Sequence, residues 1–283
     1  MSLFQAILLG VIQGVAELFP ISSTAHTLLV SALFGRTPPS LPFVAMLHLG
    51  TFLAVLLYFA RDYWEIVSGA FTGFGDRWGK ANERLALLVI VGTVPLAIVG
   101  YVLEKRLDPL YGKPLVAAVC LIITGIVLFV VERLPQGAGV AERLSWGGAF
   151  WIGLSQIAGL VPGGSRSGFS IAAGMLAGLS REQAARFSFL LAGPAILGAS
   201  VFEFRRIISP HAGAALHGFV SATAAPEPKL LIAAGFIAAL ASGIVAIRFF
   251  MRYVDQHRLT PFAVYCWVVG VAMIVLLQVR AHT

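Results

Sequence analysis

Six long stretches of the chain contain no Asp, Glu, Lys or Arg, and this feature constrains the fold more than any other. The stretches are residues 41–60, 85–103, 115–131, 187–202, 230–247 and 262–279. Each approaches the roughly 20 apolar residues that an α-helix needs to cross a hydrocarbon core of about 30 Å. Only 12% of the 283 residues are charged, about half the share of a typical soluble domain. We therefore predict an all-α polytopic membrane protein with six full spans.

Two further apolar segments are interrupted by proline. Residues 2–19 and 21–35 flank Pro20, and residues 144–161 and 167–180 flank Pro162. As a helix, residues 21–35 would extend about 22 Å, which is too short for a crossing. Each pair is therefore predicted to be a re-entrant helix hairpin, which gives about ten helices in all. Irregular backbone at membrane depth must face protein or a water-filled cavity.

The two interrupted segments also resemble each other. "GVIQGVAELFPISST" (residues 10–24) resembles "GLSQIAGLVPGGSRS" (residues 153–167). A constant offset of 143 positions relates four pairs of residues, which are Gly10 and Gly153, Gln13 and Gln156, Gly50 and Gly193, and Gly92 and Gly235. We predict one membrane domain, residues 1–283, with internal repeats 1–140 and 141–283. Because each repeat would hold one hairpin and three spans, the repeats would have inverted topology.

The formal net charge of +7 does not indicate nucleic-acid binding, because Lys and Arg are scattered between apolar runs without a basic block. Their distribution modestly favours a topology with both termini outside the cell. The first basic residue is Arg36, so we expect no cleavable signal peptide. Cys120 and Cys266 fall inside apolar runs and are predicted to be core residues.

Glu17 and Arg166 are the charged residues that lie well inside apolar segments, one near each proline. A charge at the bilayer centre costs at least about 2.5–3.5 kcal/mol, so such residues are usually functional and paired. If the two hairpins meet, these opposite charges share one pocket. The competing interpretation is a buried ion pair that only locks the two halves together.

Further polar residues lie on both sides of Pro20. Gln13 precedes Glu17 by four positions and shares its helix face. The hydroxyls of Ser22, Ser23 and Thr24 follow, and His26 lies one turn further on, within reach of Ser22 or Ser23. Helix capping explains one such hydroxyl, but three adjacent hydroxyls exceed that need.

The segment after Pro162 is typical of anion binding. Glycines at 163, 164 and 168 allow backbone to approach a ligand closely. Ser165 and Ser167 supply hydroxyls, and the planar guanidinium of Arg166 suits phosphate oxygens. A helix start follows, whose free N–H groups favour negative charge. With the second helix start after Pro20, the sequence predicts a pyrophosphate site.

The segments "QGVAELFPISSTAH" and "PGGSRSG" resemble the two signature regions of the bacterial undecaprenyl-diphosphate phosphatase family of the bacitracin-resistance type, and the resemblance extends over nearly the whole chain. It implies hydrolysis of undecaprenyl diphosphate to the monophosphate at the outer face of the bacterial plasma membrane. This reaction recycles the lipid carrier for peptidoglycan synthesis and confers bacitracin resistance. The resemblance also implies a divalent cation, Mg²⁺ or Ca²⁺.

The motifs align residue by residue with this chain. The acidic motif falls on Gln13 and Glu17, and the family often has Glu where this chain has Gln13. Glu17 is therefore the one candidate carboxylate ligand for the metal, and a site that relies on two carboxylates is not expected. Ala25 stands where glycine is usual. The predicted catalytic residues are Glu17, Ser23, His26 and Arg166. The predicted substrate-binding residues are Gln13, Ser22, Thr24, Gly163, Gly164, Ser165, Ser167 and Gly168.

Several mechanisms are compatible with these residues. Ser23 is our preferred nucleophile, with His26 as its base, and Glu17 would orient His26 or hold Mg²⁺. A water activated by Glu17 or His26 is the alternative. A flippase or carrier of polyprenyl phosphates could use the same anion pocket, because fold alone does not dictate function. The expected partners are the lipid diphosphate, the membrane and possible second copies in a homodimer.

Overall fold

The computed structural model describes residues 1–33, 39–72, 80–111, 113–208 and 228–282. Within these ranges the regular structure is helical, as predicted. The eleven α-helices are α1 (Leu3–Leu18), α2 (Ser23–Leu33), α3 (Leu41–Tyr58), α4 (Ala60–Thr72), α5 (Lys80–Tyr111), α6 (Pro114–Val131), α7 (Trp146–Ser155), α8 (Arg166–Leu176), α9 (Arg181–Ile208), α10 (Lys229–Gln256) and α11 (Thr260–His282). Two short 3₁₀ helices cover Ala141–Arg143 and Gln156–Leu160.

In the described ranges, five helices are long and apolar enough to cross a membrane. They are α5, α6, α9, α10 and α11, and the bent pair α3 and α4 makes a sixth candidate. The observed helices cover the six apolar runs and mostly extend beyond them into polar flanks. The prediction of an all-α polytopic membrane protein is confirmed.

The first predicted span, residues 41–60, is not one straight helix to its end. The helix α3 ends at Tyr58, and α4 leaves it at an angle of 78°. The charged residues Arg61, Asp62 and Glu65 follow the bend directly, and they cannot continue into hydrocarbon without cost. The side chain of Trp64 is 66% exposed. The helix α4 therefore has the character of an amphipathic helix at the membrane surface.

Both interrupted segments break where proline predicts. In the first, α1 ends before Pro20 and α2 follows, while in the second, α7 continues as a 3₁₀ helix up to Pro162 and α8 follows. The returning helices α2 and α8 have 11 residues each, or about 16 Å. These arms are too short to cross a membrane, which agrees with two re-entrant hairpins.

Glycine allows two pairs of helices to pack backbone against backbone. A Cβ atom added at Gly10 of α1 would lie 2.3 Å from the carbonyl oxygen of Gly235 in α10. A Cβ atom added at Gly153 of α7 would lie 2.1 Å from the carbonyl oxygen of Gly92 in α5. The two contacts are related by the offset of 143 positions seen in the sequence. The internal duplication stays a prediction, and these equivalent contacts support it.

Ion pairs, one of them buried and one partly exposed, join helices outside the hairpins. Glu132, at the end of α6, has a side chain only 1% exposed. It accepts hydrogen bonds from Arg181 Nε (2.7 Å) and Nη2 (2.9 Å) at the start of α9, and from the backbone N–H of Leu259 (3.0 Å) before α11. Arg186 pairs with Asp62 of α4. These contacts fix the helices that surround the two hairpin tips.

Candidate active site

The first hairpin turns through residues 19–22. Pro20 cannot continue α1, because it lacks a backbone N–H and its ring clashes with the preceding turn. Ser22 takes the left-handed conformation (φ 66°), which is uncommon for a non-glycine residue and tends to occur at functional sites. Its hydroxyl accepts a hydrogen bond from the backbone N–H of Ala25 (3.5 Å). Ser22 is thus the residue that caps α2, and Ser23 begins the helix.

The second hairpin turns through residues 161–165. Gly163 is left-handed (φ +87°), and a Cβ atom there would lie 2.0 Å from the carbonyl oxygen of Ala117 in α6. Ser165 caps α8, and its hydroxyl accepts from the N–H of Gly168 (3.1 Å). Thr124 of α6 supports this loop by accepting from the N–H of Ser165 (3.3 Å) and donating to the carbonyl of Gly163 (3.4 Å).

The two hairpin tips touch. The backbone N–H of Gly163 donates to Thr24 Oγ1 (3.3 Å), and Ser167 Oγ donates to the carbonyl of Phe19 (3.0 Å). Ser167 also shares a hydrogen bond with Ser165 (3.2 Å). Each tip therefore supplies a hydrogen-bond partner for the backbone of the other. The predicted meeting of the two breaks is confirmed.

Glu17 and Arg166 form an ion pair at the centre of this contact. Arg166 Nη2 lies 3.2 Å from Glu17 Oε1, and both side chains are 13% exposed. The other carboxylate oxygen, Oε2, accepts from Ser23 Oγ (2.7 Å) and from Gln13 Nε2 (3.4 Å). One carboxylate thus joins an arginine, a serine and an amide. The predicted pairing of these opposite charges is present.

The guanidinium of Arg166 retains a free donor. Its Nη1 atom is buried and has no hydrogen-bond partner among the residues that the structure describes. A buried charged group without a partner is costly, so a native structure normally supplies a partner from water or a ligand. An anion beside Nη1 would satisfy this donor. An ion pair that only holds the two halves together would not explain this free donor.

His26 points to a different partner from the one predicted. Its Nδ1 lies 2.8 Å from the carbonyl oxygen of Ser22, and its Nε2 lies 2.7 Å from Tyr265 Oη in α11. The two rings are nearly parallel, with centroids 5.5 Å apart. Because both ring nitrogens are engaged in this way and Ser23 Oγ bonds Glu17, the expected pairing of His26 with Ser23 is wrong for this structure. The likewise expected orientation of His26 by Glu17 is also not formed within the described residues.

Sequence reasoning missed two residues of the site. Tyr265 and Thr124 each lie in an apolar span, where a single hydroxyl among apolar neighbours carries no local pattern. They reach the site only through the packing of α11 and α6 against the hairpins.

The site does not resemble a resident metal centre. No group of three or more His, Cys, Asp or Glu side chains that could hold a metal ion occurs in the described residues. Glu17 is the carboxylate at the tips, and both its oxygens already accept hydrogen bonds. Mg²⁺ often uses one carboxylate together with substrate phosphates and water. These residues therefore fit a cation that arrives with a diphosphate, but not one held by the protein alone.

Comparison with known proteins relates the chain to a family and to named relatives. Residues 6–272 match the family described as bacitracin resistance protein BacA. A Burkholderia ambifaria protein named undecaprenyl-diphosphatase 2 is 41% identical over 281 residues, covering 96% of this chain and 95% of that protein. A Mycolicibacterium paratuberculosis protein named undecaprenyl-diphosphatase is 37% identical over 314 residues, covering 99% of each chain.

Proposed function

The chain belongs to the bacitracin resistance protein BacA family, and from this premise we propose that it hydrolyses undecaprenyl diphosphate to undecaprenyl phosphate and inorganic phosphate. The observation that carries the proposal is the ion pair between Glu17 and Arg166 with an unpaired guanidinium nitrogen beside it. Arg166 offers a donor for a phosphate oxygen, and the hydroxyl of Ser23 lies on the same carboxylate. A group that can bind an anion and a group that can act as a nucleophile therefore lie beside the same carboxylate.

The diphosphate would bind between the starts of α2 and α8. The first N–H groups of a helix have no partner within it, and the helix dipole favours negative charge at that end. Arg166 Nη1 would donate a charged hydrogen bond to the leaving group, which is the phosphate that stays on the lipid. In phosphoryl transfer, such positioning and charge stabilisation supply most of the catalysis.

The hydrogen bond from Ser23 to Glu17 supports a serine nucleophile with Glu17 as its base. Ser23 Oγ would attack the terminal phosphorus while its proton passes to Glu17 Oε2. The bond from that phosphorus to the bridging oxygen breaks, and undecaprenyl phosphate leaves. Water then releases inorganic phosphate from phosphoserine. His26 would act indirectly, because it ties the strained Ser22 turn to Tyr265.

A divalent cation remains part of the proposal. Glu17 would be its one protein carboxylate, and the diphosphate and water would supply the remaining ligands. When bound, such a cation offsets phosphate charge. Calorimetry should detect Mg²⁺ binding to the protein only when a diphosphate is present. Tight Mg²⁺ binding to the protein alone would contradict this arrangement.

Phosphate release tests the function against the carrier alternative, which the names of the relatives do not favour. The purified protein in detergent should release inorganic phosphate from undecaprenyl diphosphate, although no second compartment exists. A pure carrier would release none. The released phosphate should increase linearly with the amount of protein.

The Ser23→Ala variant separates the two possible nucleophiles. Turnover should be lost while the protein remains folded, and phosphate labelled at the terminal position should be trapped on the wild-type protein after acid quenching. The Ser242→Ala variant is the control, because Ser242 Oγ donates to the carbonyl of Ala238 in its own helix α10 (2.6 Å) and does not contact Glu17 in the described structure. Substantial turnover by Ser23→Ala would favour direct attack by water.

The chain is a multi-pass membrane protein, and we infer that it lies in a bacterial plasma membrane with its pocket open to the outer side. The organisms of its relatives are bacteria, which supports the bacterial membrane, and the outer side is what the family resemblance implies. Expression of the protein should raise bacitracin resistance, because hydrolysis lowers the amount of the lipid diphosphate that the drug binds. The Arg166→Ala variant should fail to do so.

A further inference from the structure

A second basic site lies on the outer surface of α10. A groove of about 440 Å³ is lined by Val245, Arg248, Phe249, Arg252, Tyr253 and His257, and we call it the α10 groove. Arg248 and Arg252 are exposed. Neither forms an ion pair or hydrogen bond with the part of the chain that the structure describes. Asp255, the acidic residue in the same turns of α10, does not line the groove.

The α10 groove changes character along the helix. At its inner end, Val245 is 67% and Phe249 is 53% exposed, so apolar side chains face the membrane. Arg252 and His257 lie towards the other end of the groove, close to the end of α10 at Gln256. Arg248 lies one residue before Phe249, and its long side chain can extend from there towards the same membrane surface. A ladder of rings joins the two ends, with Phe249, Tyr253 and His257 stacked at 5.8 and 4.8 Å. This order matches an amphiphile with an acyl chain inward and an anionic head outward.

The position of the α10 groove in the membrane follows from the packing of α1. Gly10 meets Gly235 and Gly14 meets Gly243, so α1 and α10 run in parallel. Phe19, at the first hairpin tip, contacts Phe249 at a ring distance of 5.9 Å. The groove thus begins level with the hairpin tips and extends to the membrane face opposite the N-terminus. That face is the one that the Lys and Arg distribution assigns to the cytoplasm.

We propose that the α10 groove binds the head group of an anionic phospholipid from this leaflet. Basic residues at a membrane surface attract anionic lipids by about 1 kcal/mol each, and aromatic side chains favour the same depth. The two unpaired arginines supply charge complementarity, and the apolar inner end distinguishes a lipid from free phosphate. The site is separate from the pair of Glu17 and Arg166.

Lipid binding to the delipidated protein in a neutral detergent tests the proposal. Phosphatidylglycerol should bind, and phosphatidylcholine with the same acyl chains should bind at least about tenfold more weakly. The double variant Arg248→Ala/Arg252→Ala should weaken phosphatidylglycerol binding about thirtyfold, which corresponds to two charges at about 1 kcal/mol each. Its phosphate release in neutral detergent should be unchanged, since neither arginine contacts the catalytic residues.

Two matched variants control for other causes. Arg143→Ala removes an exposed arginine outside the groove and should leave binding unchanged. Arg166→Ala should also retain phosphatidylglycerol binding, so a failure of the proposed hydrolysis is distinguishable from a failure of the groove. Thermal melting of the double variant close to that of wild type excludes misfolding.

Four results would overturn the proposal. Equal binding of both lipids would show no preference for charge, and unchanged phosphatidylglycerol binding by the double variant would remove the arginines from the site. Competition by inorganic phosphate as effective as that by the lipid would indicate a plain anion site. If the double variant instead lost only self-association, the groove would be an interface between two copies of this chain.

Discussion

Gly163→Ala should damage both the fold and the activity, and the chain contains a matched control for it. Gly163 and Gly178 are both left-handed, with φ of +87° and +88°. A Cβ atom at Gly178 would meet nothing within 4 Å, whereas one at Gly163 would lie 2.0 Å from the carbonyl oxygen of Ala117. The two substitutions therefore share the conformational cost and differ in the clash.

The conformational cost of a left-handed alanine is about 1–2 kcal/mol, and we expect this loss of stability for Gly178→Ala. Gly163→Ala should lose about 1–3 kcal/mol more, because overpacking against backbone cannot be relieved by a rotamer change. Ordinary contact would require the loop to move by at least about 1 Å. A displacement of that size can reduce turnover about a hundredfold, because Arg166 follows directly.

Chemical denaturation in detergent and phosphate release, normalised to folded protein, measure the two effects. Gly178→Ala should keep nearly full turnover, while Gly163→Ala should lose most of it. If the two variants are equally stable and equally active, then the close contact between the second hairpin and α6 is not what positions the site.

Three further substitutions test separate contacts. Arg166→Ala should lower kcat/KM by about 10³-fold or more, and Arg166→Lys should recover part of it; a variant that loses stability but not turnover per folded molecule would identify a structural lock. Tyr265→Phe should lower kcat about fivefold, because it loses one hydrogen bond of about 1 kcal/mol to His26. Tyr101→Phe, at an exposed tyrosine, is the control. Equal kcat values for the two variants would show that Tyr265 is not part of the site. Glu132→Gln breaks a buried ion pair and should cost about 3–5 kcal/mol of stability with turnover per folded molecule retained, so a selective loss of turnover would contradict its structural role.

The sequence predicts the parts of this fold that local chemistry determines. Long uncharged runs predict the spans. Pro20 and Pro162 predict the breaks because polar residues or glycines follow each of them, since proline alone is not sufficient: Pro95 and Pro194 lie inside α5 and α9 without ending them. Glu17 and Arg166 could be paired in advance because an isolated charge inside a membrane needs a partner. Each of these inferences rests on a free-energy cost that depends on the residue type and its immediate sequence neighbours.

The features that sequence reasoning missed depend on distant packing. Predicting the bend at Phe59 would require knowing where the membrane surface lies relative to Arg61. The partner of His26 is 239 positions away, and nothing near Tyr265 marks it as a partner. Whether the hydroxyl of Ser23 bonds Glu17 or His26 depends on the left-handed turn at Ser22, a conformation that serine rarely adopts.

The ion pair between Glu17 and Arg166 also has a consequence for how the chain is made. The two residues are 149 positions apart, and at about 5–20 residues per second the ribosome needs roughly 7 to 30 s to synthesise that length. Throughout this interval the nascent N-terminal hairpin carries a carboxyl group with no guanidinium to meet it. In that interval the carboxyl can enter the membrane in its protonated, neutral form, with Gln13 and Ser23 as its local hydrogen-bond partners. The charged pair then forms when the second half is inserted.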